Sequence, residues 1–115
     1  MKRIVVIGFL MTSVAAADAP CEQVFSARYT WGAEVNVVQP CGGKDTYWVS
    51  ANSWVLGPLV EYYTANTSKP YDAVYIRFRG LRLNEVVDGF AADYDGLMHI
   101  SEVLTLDRKV PENCR

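Results

Sequence analysis

A single histidine, a short acidic loop and a set of aromatic side chains are the groups from which this 115-residue chain could build chemistry. With His99 alone, most nucleophilic triads, zinc sites and general-base pairs are ruled out together. Its place between Met98 and Ile100 predicts a ring facing solvent or a strand neighbour. Met98 and His99 offer copper a thioether and an imidazole, but no third ligand is evident. Asp88, Asp93 and Asp95 form the best acidic cluster. Asp93-x-Asp95-Gly96 resembles part of a calcium loop, yet the third oxygen position and the closing glutamate are missing. Turn geometry explains aspartate beside glycine without any metal, and is the preferred reading. A glycosidase would need two separated acids across a sugar cleft, and nothing locates one. There is no Gly-x-Ser-x-Gly elbow, phosphate loop or dinucleotide fingerprint. The expectation is therefore no catalytic residue, no metal site and no cofactor.

Binding chemistry has more material. Tyr29, Trp31, Tyr47, Trp48, Trp54, Tyr62, Tyr63 and Tyr75 either fill a core or supply a stacking platform. Arg77, Arg79 and Arg82 lie along one segment, as a local basic patch or a solvated strand face. The candidate ligand contacts are Trp31, Trp48, Tyr75, Arg77, Arg79, Asp93 and Asp95.

The N-terminus decides the compartment. Residues 1–17, MKRIVVIGFLMTSVAAA, have the Lys2-Arg3 n-region, the apolar stretch and the Ala15-Ala16-Ala17 site of a signal peptide. The apolar run falls short of the roughly twenty residues of a spanning helix. Residues 18–115 are expected to form one soluble, exported domain. Removing 17 of 115 residues leaves 98, enough for one core. The leader takes two of the eleven basic residues and none of the thirteen acidic ones, leaving a formal charge of −4. Such a domain has no electrostatic reason to bind nucleic acid or an anionic membrane surface. Export puts Cys21, Cys41 and Cys114 in an oxidising compartment, where three thiols allow one bridge and leave one over. A 41–114 bridge would secure the C-terminus, while Cys21 could compete for either partner. Asp18-Ala19-Pro20 before Cys21 does not fit a lipid-attachment signal, so no lipid anchor is expected.

The elements that must position these groups follow from periodicity. Residues 24–31, 34–38 and 46–49 read as three strands, with Cys41-Gly42-Gly43-Lys44-Asp45 as a hairpin connection. Trp54 to Tyr63 then changes to helical spacing. Asn52 or Ser53 is the cap, and Pro58 sets the firm start near Gly57, with an end at Ala65. Val74, Ile76 and Phe78 alternate with Tyr75, Arg77 and Arg79 in a strand over 73–83. Gly80 marks a bend or bulge. Asp88 to Gly96 reads as a loop, and 97–106 as a last strand. The order β-β-β-α-β-β is that of the OB-fold, a mostly β, five-stranded Greek-key barrel with one helix.

Tyr29-Thr30-Trp31-Gly32, Gln39-Pro40-Cys41-Gly42, Tyr47-Trp48-Val49, Asp88-Gly89-Phe90 and Asp93-Tyr94-Asp95-Gly96-Leu97 carry a resemblance to small bacterial envelope proteins. That group is similar to the C-terminal OB-type domain of the NlpE copper-resistance and envelope-stress lipoprotein. The resemblance implies an OB barrel, a periplasmic location and a bridge between Cys41 and Cys114. Neither a Cys-x-x-Cys pair nor a lipid-attachment box is present, so it does not carry over copper handling or stress signalling. The expected function is non-enzymatic binding of an envelope protein or a small ligand. The alternatives are an exported hydrolase using the Asp88–Asp95 loop, or a structural envelope accessory.

Overall fold

In the computed structural model, residue 8, residues 21–84 and residues 89–115 are described. The leader call on residues 1–17 and the site call on Asp88 fall outside these residues, Gly8 apart. Five strands close a barrel in the order β1-β2-β3-β5-β4. They are β1 (Gln23–Gly32), β2 (Val35–Pro40), β3 (Tyr47–Ala51), β4 (Val74–Leu83) and β5 (Leu97–Asp107). The helix α1 (Ser53–Asn66) joins β3 to β4. The architecture is the expected OB-like, mostly β fold.

Closure depends on two features of the long strands. β1 pairs antiparallel with β4 through Gln23–Tyr29 and with β2 through Ala27–Gly32, so one strand serves both neighbours. β3 and β5 pair parallel, with Trp48 opposite Leu97 and Ala51 opposite Ile100. The helix between β3 and β4 supplies part of the crossover that a parallel pair requires.

The alternation of β4 is what fills the barrel. Val74, Ile76 and Phe78 are completely buried, beside Ala27 and Tyr29 of β1, Val38 of β2, and Met98 and Ile100 of β5. Burial of each large side chain contributes about 1.5–3 kcal/mol. At Gly80 the register shifts, and a Cβ there would collide with the His99 carbonyl oxygen. The predicted bulge thus lets β5 pass close to the β4 backbone.

The helix begins a turn earlier than the proline suggested. Asn52 is the cap residue, and its carbonyl accepts from the N–H groups of Val55 (3.0 Å) and Leu56 (2.9 Å). A complete turn is therefore in place before Pro58, which lacks only the bond its N–H would have made to Trp54. Leu59 and Tyr63 direct the buried face of α1 into the core cluster. The loop before β5 also contains a short 3-10 turn, Gly89–Asp93, where the sequence suggested irregular chain.

The Cys41–Cys114 disulfide links the end of β2 to a C-terminal 3-10 turn, Glu112–Cys114. Cys114 is buried, and Cys21 is exposed and outside this bridge. Among the described residues no helix is long and apolar enough to cross a membrane.

Candidate functional site

An aromatic ladder leads from the core to the surface at the β1–β2 end of the barrel. The buried Tyr29 ring meets Tyr63 edge-on, with centroids 5.8 Å apart at 90°. Tyr63 in turn meets Trp31 at 6.5 Å and 68°. Trp31 ends the ladder at the rim and is 37% exposed. Beside it lies a groove of about 450 Å³, lined by Trp31, Tyr63, Thr64, Thr67, Lys69 and Tyr71 among others. Tyr71 is 66% exposed on the opposite loop.

The backbone that presents these rings is strained on both sides. Glu34 has φ 63° and Tyr71 has φ 64°, the only non-glycine residues with positive φ among the described residues. Glu34 is the second residue of the two-residue hairpin between Gly32 and Val35, adjoining the lining residue Ala33. Left-handed geometry at a bulky tyrosine is rare and persists only where neighbouring contacts fix it. Here Tyr63 Oη donates to the Asp72 carbonyl at 2.6 Å, and Lys69 N–H donates to Asp72 Oδ2 at 3.2 Å. Burial pushes the Tyr63 phenol above its ordinary range, which keeps it a neutral donor.

The helix end forms the groove's polar edge. Thr64 Oγ1 and Thr67 Oγ1 donate to the carbonyls of Val60 (2.9 Å) and Tyr63 (2.8 Å). Their donors are spent on the helix, and each hydroxyl oxygen retains acceptor capacity.

The remaining candidates are scattered. Trp48 packs on Tyr94 at 5.7 Å, away from Trp31. Asp95 holds that end of the barrel together: its Oδ2 accepts the Thr46 N–H at 2.8 Å, and its own N–H donates to the Thr46 carbonyl at 2.9 Å. Asp93 is exposed. Tyr75 Oη donates to Ser26 Oγ at 3.1 Å, Arg77 is exposed, and Arg79 pairs with Glu102 at 3.7 Å. Arg82 instead covers the rings of Tyr47 (4.9 Å) and Phe25 (5.6 Å), so the β4 arginines do not act on one point. His99 Nδ1 lies 3.4 Å from Ser50 Oγ on the neighbouring strand, while Met98 is buried in the core. The two possible copper ligands therefore occupy opposite faces of β5. Among the described residues no group of three or more His, Cys, Asp or Glu side chains could hold a metal ion.

Sequence reasoning found Trp31 but missed Tyr71. The available signal was an aromatic residue in the turn-rich run Lys69-Pro70-Tyr71-Asp72, where no strand or helix pattern asks for one. Compared with known proteins, the chain matches no family model, no curated protein and no solved structure.

Proposed function

We propose that this chain is an exported, periplasmic, non-enzymatic barrel that binds a small ligand between Trp31 and Tyr71. The observation that carries the reading is a groove lined by two exposed aromatic rings, Trp31 and Tyr71, with Tyr71 held at φ 64°. Backbone strain beside exposed aromatic surface costs stability and has no packing benefit, which fits a binding role. Stacking rings above a hydroxyl edge suit a sugar ring, whose apolar face stacks while its hydroxyls bond to Thr64 and Thr67. OB barrels bind oligosaccharides in this general way, an analogy of fold. The bridge is compatible with export.

Fluorescence titration with chitin-type and peptidoglycan-derived oligosaccharides tests the reading. Saturable quenching that is lost in Trp31→Ala and kept in Trp54→Phe is expected, because Trp54 is exposed at the far end of α1. No saturable response to either glycan class overturns the sugar reading. Crosslinking at Tyr71 in intact cells that captures one defined envelope protein would replace it with a protein occupant. N-terminal sequencing of the exported chain should begin at Asp18, and a retained leader overturns the export reading.

A further inference from the structure

A second depression, of about 580 Å³, lies where β5 ends, and it has the opposite chemistry. Arg28, Arg108, Lys109 and Arg115 line it, together with Asn66, Ala73 and Val110. Four of the chain's eleven basic residues thus line one depression of a protein whose formal charge is negative. Among the described residues the only ion pair is Arg79–Glu102, so no carboxylate contact neutralises any of the four. The nearby Asp107 carboxylate accepts the Lys109 backbone N–H at 3.0 Å, a bond that turns the chain after β5.

Three separate devices bring the cations together. Arg28 stands on β1 opposite Tyr75 of β4, and its Nη1 donates to Gln39 Oε1 at 3.3 Å, which holds the half-buried guanidinium at the barrel wall. Arg108 and Lys109 follow directly from the last residue of β5. Arg115 is fixed by the neighbouring Cys114, bonded to Cys41, and by its own N–H to the Glu112 carbonyl at 3.2 Å. Gathering like charges is unfavourable without an anion, and the local field opposes the global one. Guanidinium and ammonium groups are the side chains that recognise phosphate oxygens, arginine in pairs and lysine as a point charge.

We infer that this pocket is a binding site for a phosphate monoester, separate from the aromatic groove. The ester is carried either on a small soluble molecule or on a lipid headgroup, since both present the same dianionic oxygens. The disulfide then has a functional consequence as well as a stabilising one, because it delivers Arg115.

The test is a titration of the oxidised, leaderless protein, followed by backbone amide NMR at low ionic strength, where exposed charges are least screened. Probes are glucose 6-phosphate, inorganic pyrophosphate, citrate, and phosphatidylcholine vesicles with and without phosphatidic acid. The expected result is saturable shifts at Arg28, Arg108, Lys109 and Arg115, weakened roughly tenfold by Arg108→Gln, as for loss of one charge-assisted contact. Arg77→Gln, an exposed arginine of β4 outside the lining of the depression, should weaken binding far less than Arg108→Gln. Binding of the soluble phosphates assigns a soluble ester, and binding of phosphatidic acid vesicles alone assigns a lipid headgroup. No saturable binding of any phosphate probe overturns the inference. So does equal affinity for citrate, or an equal loss in Arg77→Gln.

Discussion

Tyr63 and Asp72 are joined by a 2.6 Å hydrogen bond from the phenol to the backbone carbonyl, and this bond ties α1 to the loop that carries Tyr71. Tyr63 faces the core on one side and the groove on the other, so the ordering of the rim is coupled to packing of the helix. Tyr63→Phe keeps the ring and removes the donor. It should cost about 0.5–1.5 kcal/mol in denaturant unfolding. Its amide exchange should quicken chiefly at residues 69–72, where the lost bond was the anchor. Uniform acceleration across the barrel would show that the bond serves global stability alone.

Tyr71→Gly separates function from folding. Glycine adopts φ 64° without the left-handed penalty of about 1–2 kcal/mol, and the exposed ring is absent from the core cluster. The variant should be about 0.5–1 kcal/mol more stable after the entropy cost of glycine, yet bind the groove ligand poorly. Glu34→Gly should gain similar stability with binding intact, since Glu34 adjoins the groove without lining it. Thermal melts with and without ligand check both. Full binding by Tyr71→Gly would contradict the role given to that ring.

The strands could be read because burial leaves a period-two record: Val74, Ile76 and Phe78 fall on one face whatever the partner strand is. The Gly80 bulge was likewise visible, as glycine permits the close approach of the His99 carbonyl. The helix start was obscured because a rule about one residue, Pro58, outweighed the turn nucleated at Asn52. The sites were less legible for a different reason. Trp31 and Tyr71 meet only through the path of the loop after α1, and Arg28 and Arg115 meet only through barrel closure and the bridge. Neither juxtaposition leaves a local spacing to read.

Asp95 and Thr46 make a reciprocal pair between the loop before β5 and the chain entering β3. Asp95→Ala removes the acceptor of the Thr46 N–H and should cost about 0.5–1.5 kcal/mol, whereas Asp95→Asn retains an acceptor oxygen and should cost less. Asp93→Asn, at an exposed position, should stay within about 0.5 kcal/mol. Equal costs for Asp93 and Asp95 variants in chemical denaturation would remove the special role of the pair.

Alkaline stability should be governed in part by Tyr29. Its phenol is wholly buried and donates to Asn36 Oδ1 at 2.7 Å. Desolvation, reinforced by Tyr63, raises its pKa well above the ordinary tyrosine range. Above a pH of about 10 the unfolded chain releases this proton while the folded chain retains it, so stability falls as pH rises. Below that pH the contribution is fully present. Tyr29→Phe should be less stable at neutral pH, because Asn36 loses its donor, but should show a shallower alkaline decline. Parallel slopes for the two proteins between pH 9 and 11 in thermal melts would assign the decline to other groups.

Reduction of the Cys41–Cys114 bridge provides the most comprehensive test, since it acts on stability and on a proposed site together. The sequence separation is 73 residues, and closing such a loop removes about 4 kcal/mol of unfolded-state entropy in the chain-entropy model. Cys114→Ser should therefore lose about 2–5 kcal/mol, a large share of the stability of a domain this size. The barrel core contains neither cysteine among its packed cluster, so β1 to β5 should keep their strand signature at low temperature. Arg115, by contrast, loses the tether that places it beside Arg28 and Arg108. Phosphate affinity should fall in Cys114→Ser under conditions where circular dichroism shows a folded barrel, and aromatic-groove binding should persist. Loss of both binding activities in a folded variant would mean that the bridge orders the whole barrel, leaving Arg115 with no separate part in the effect.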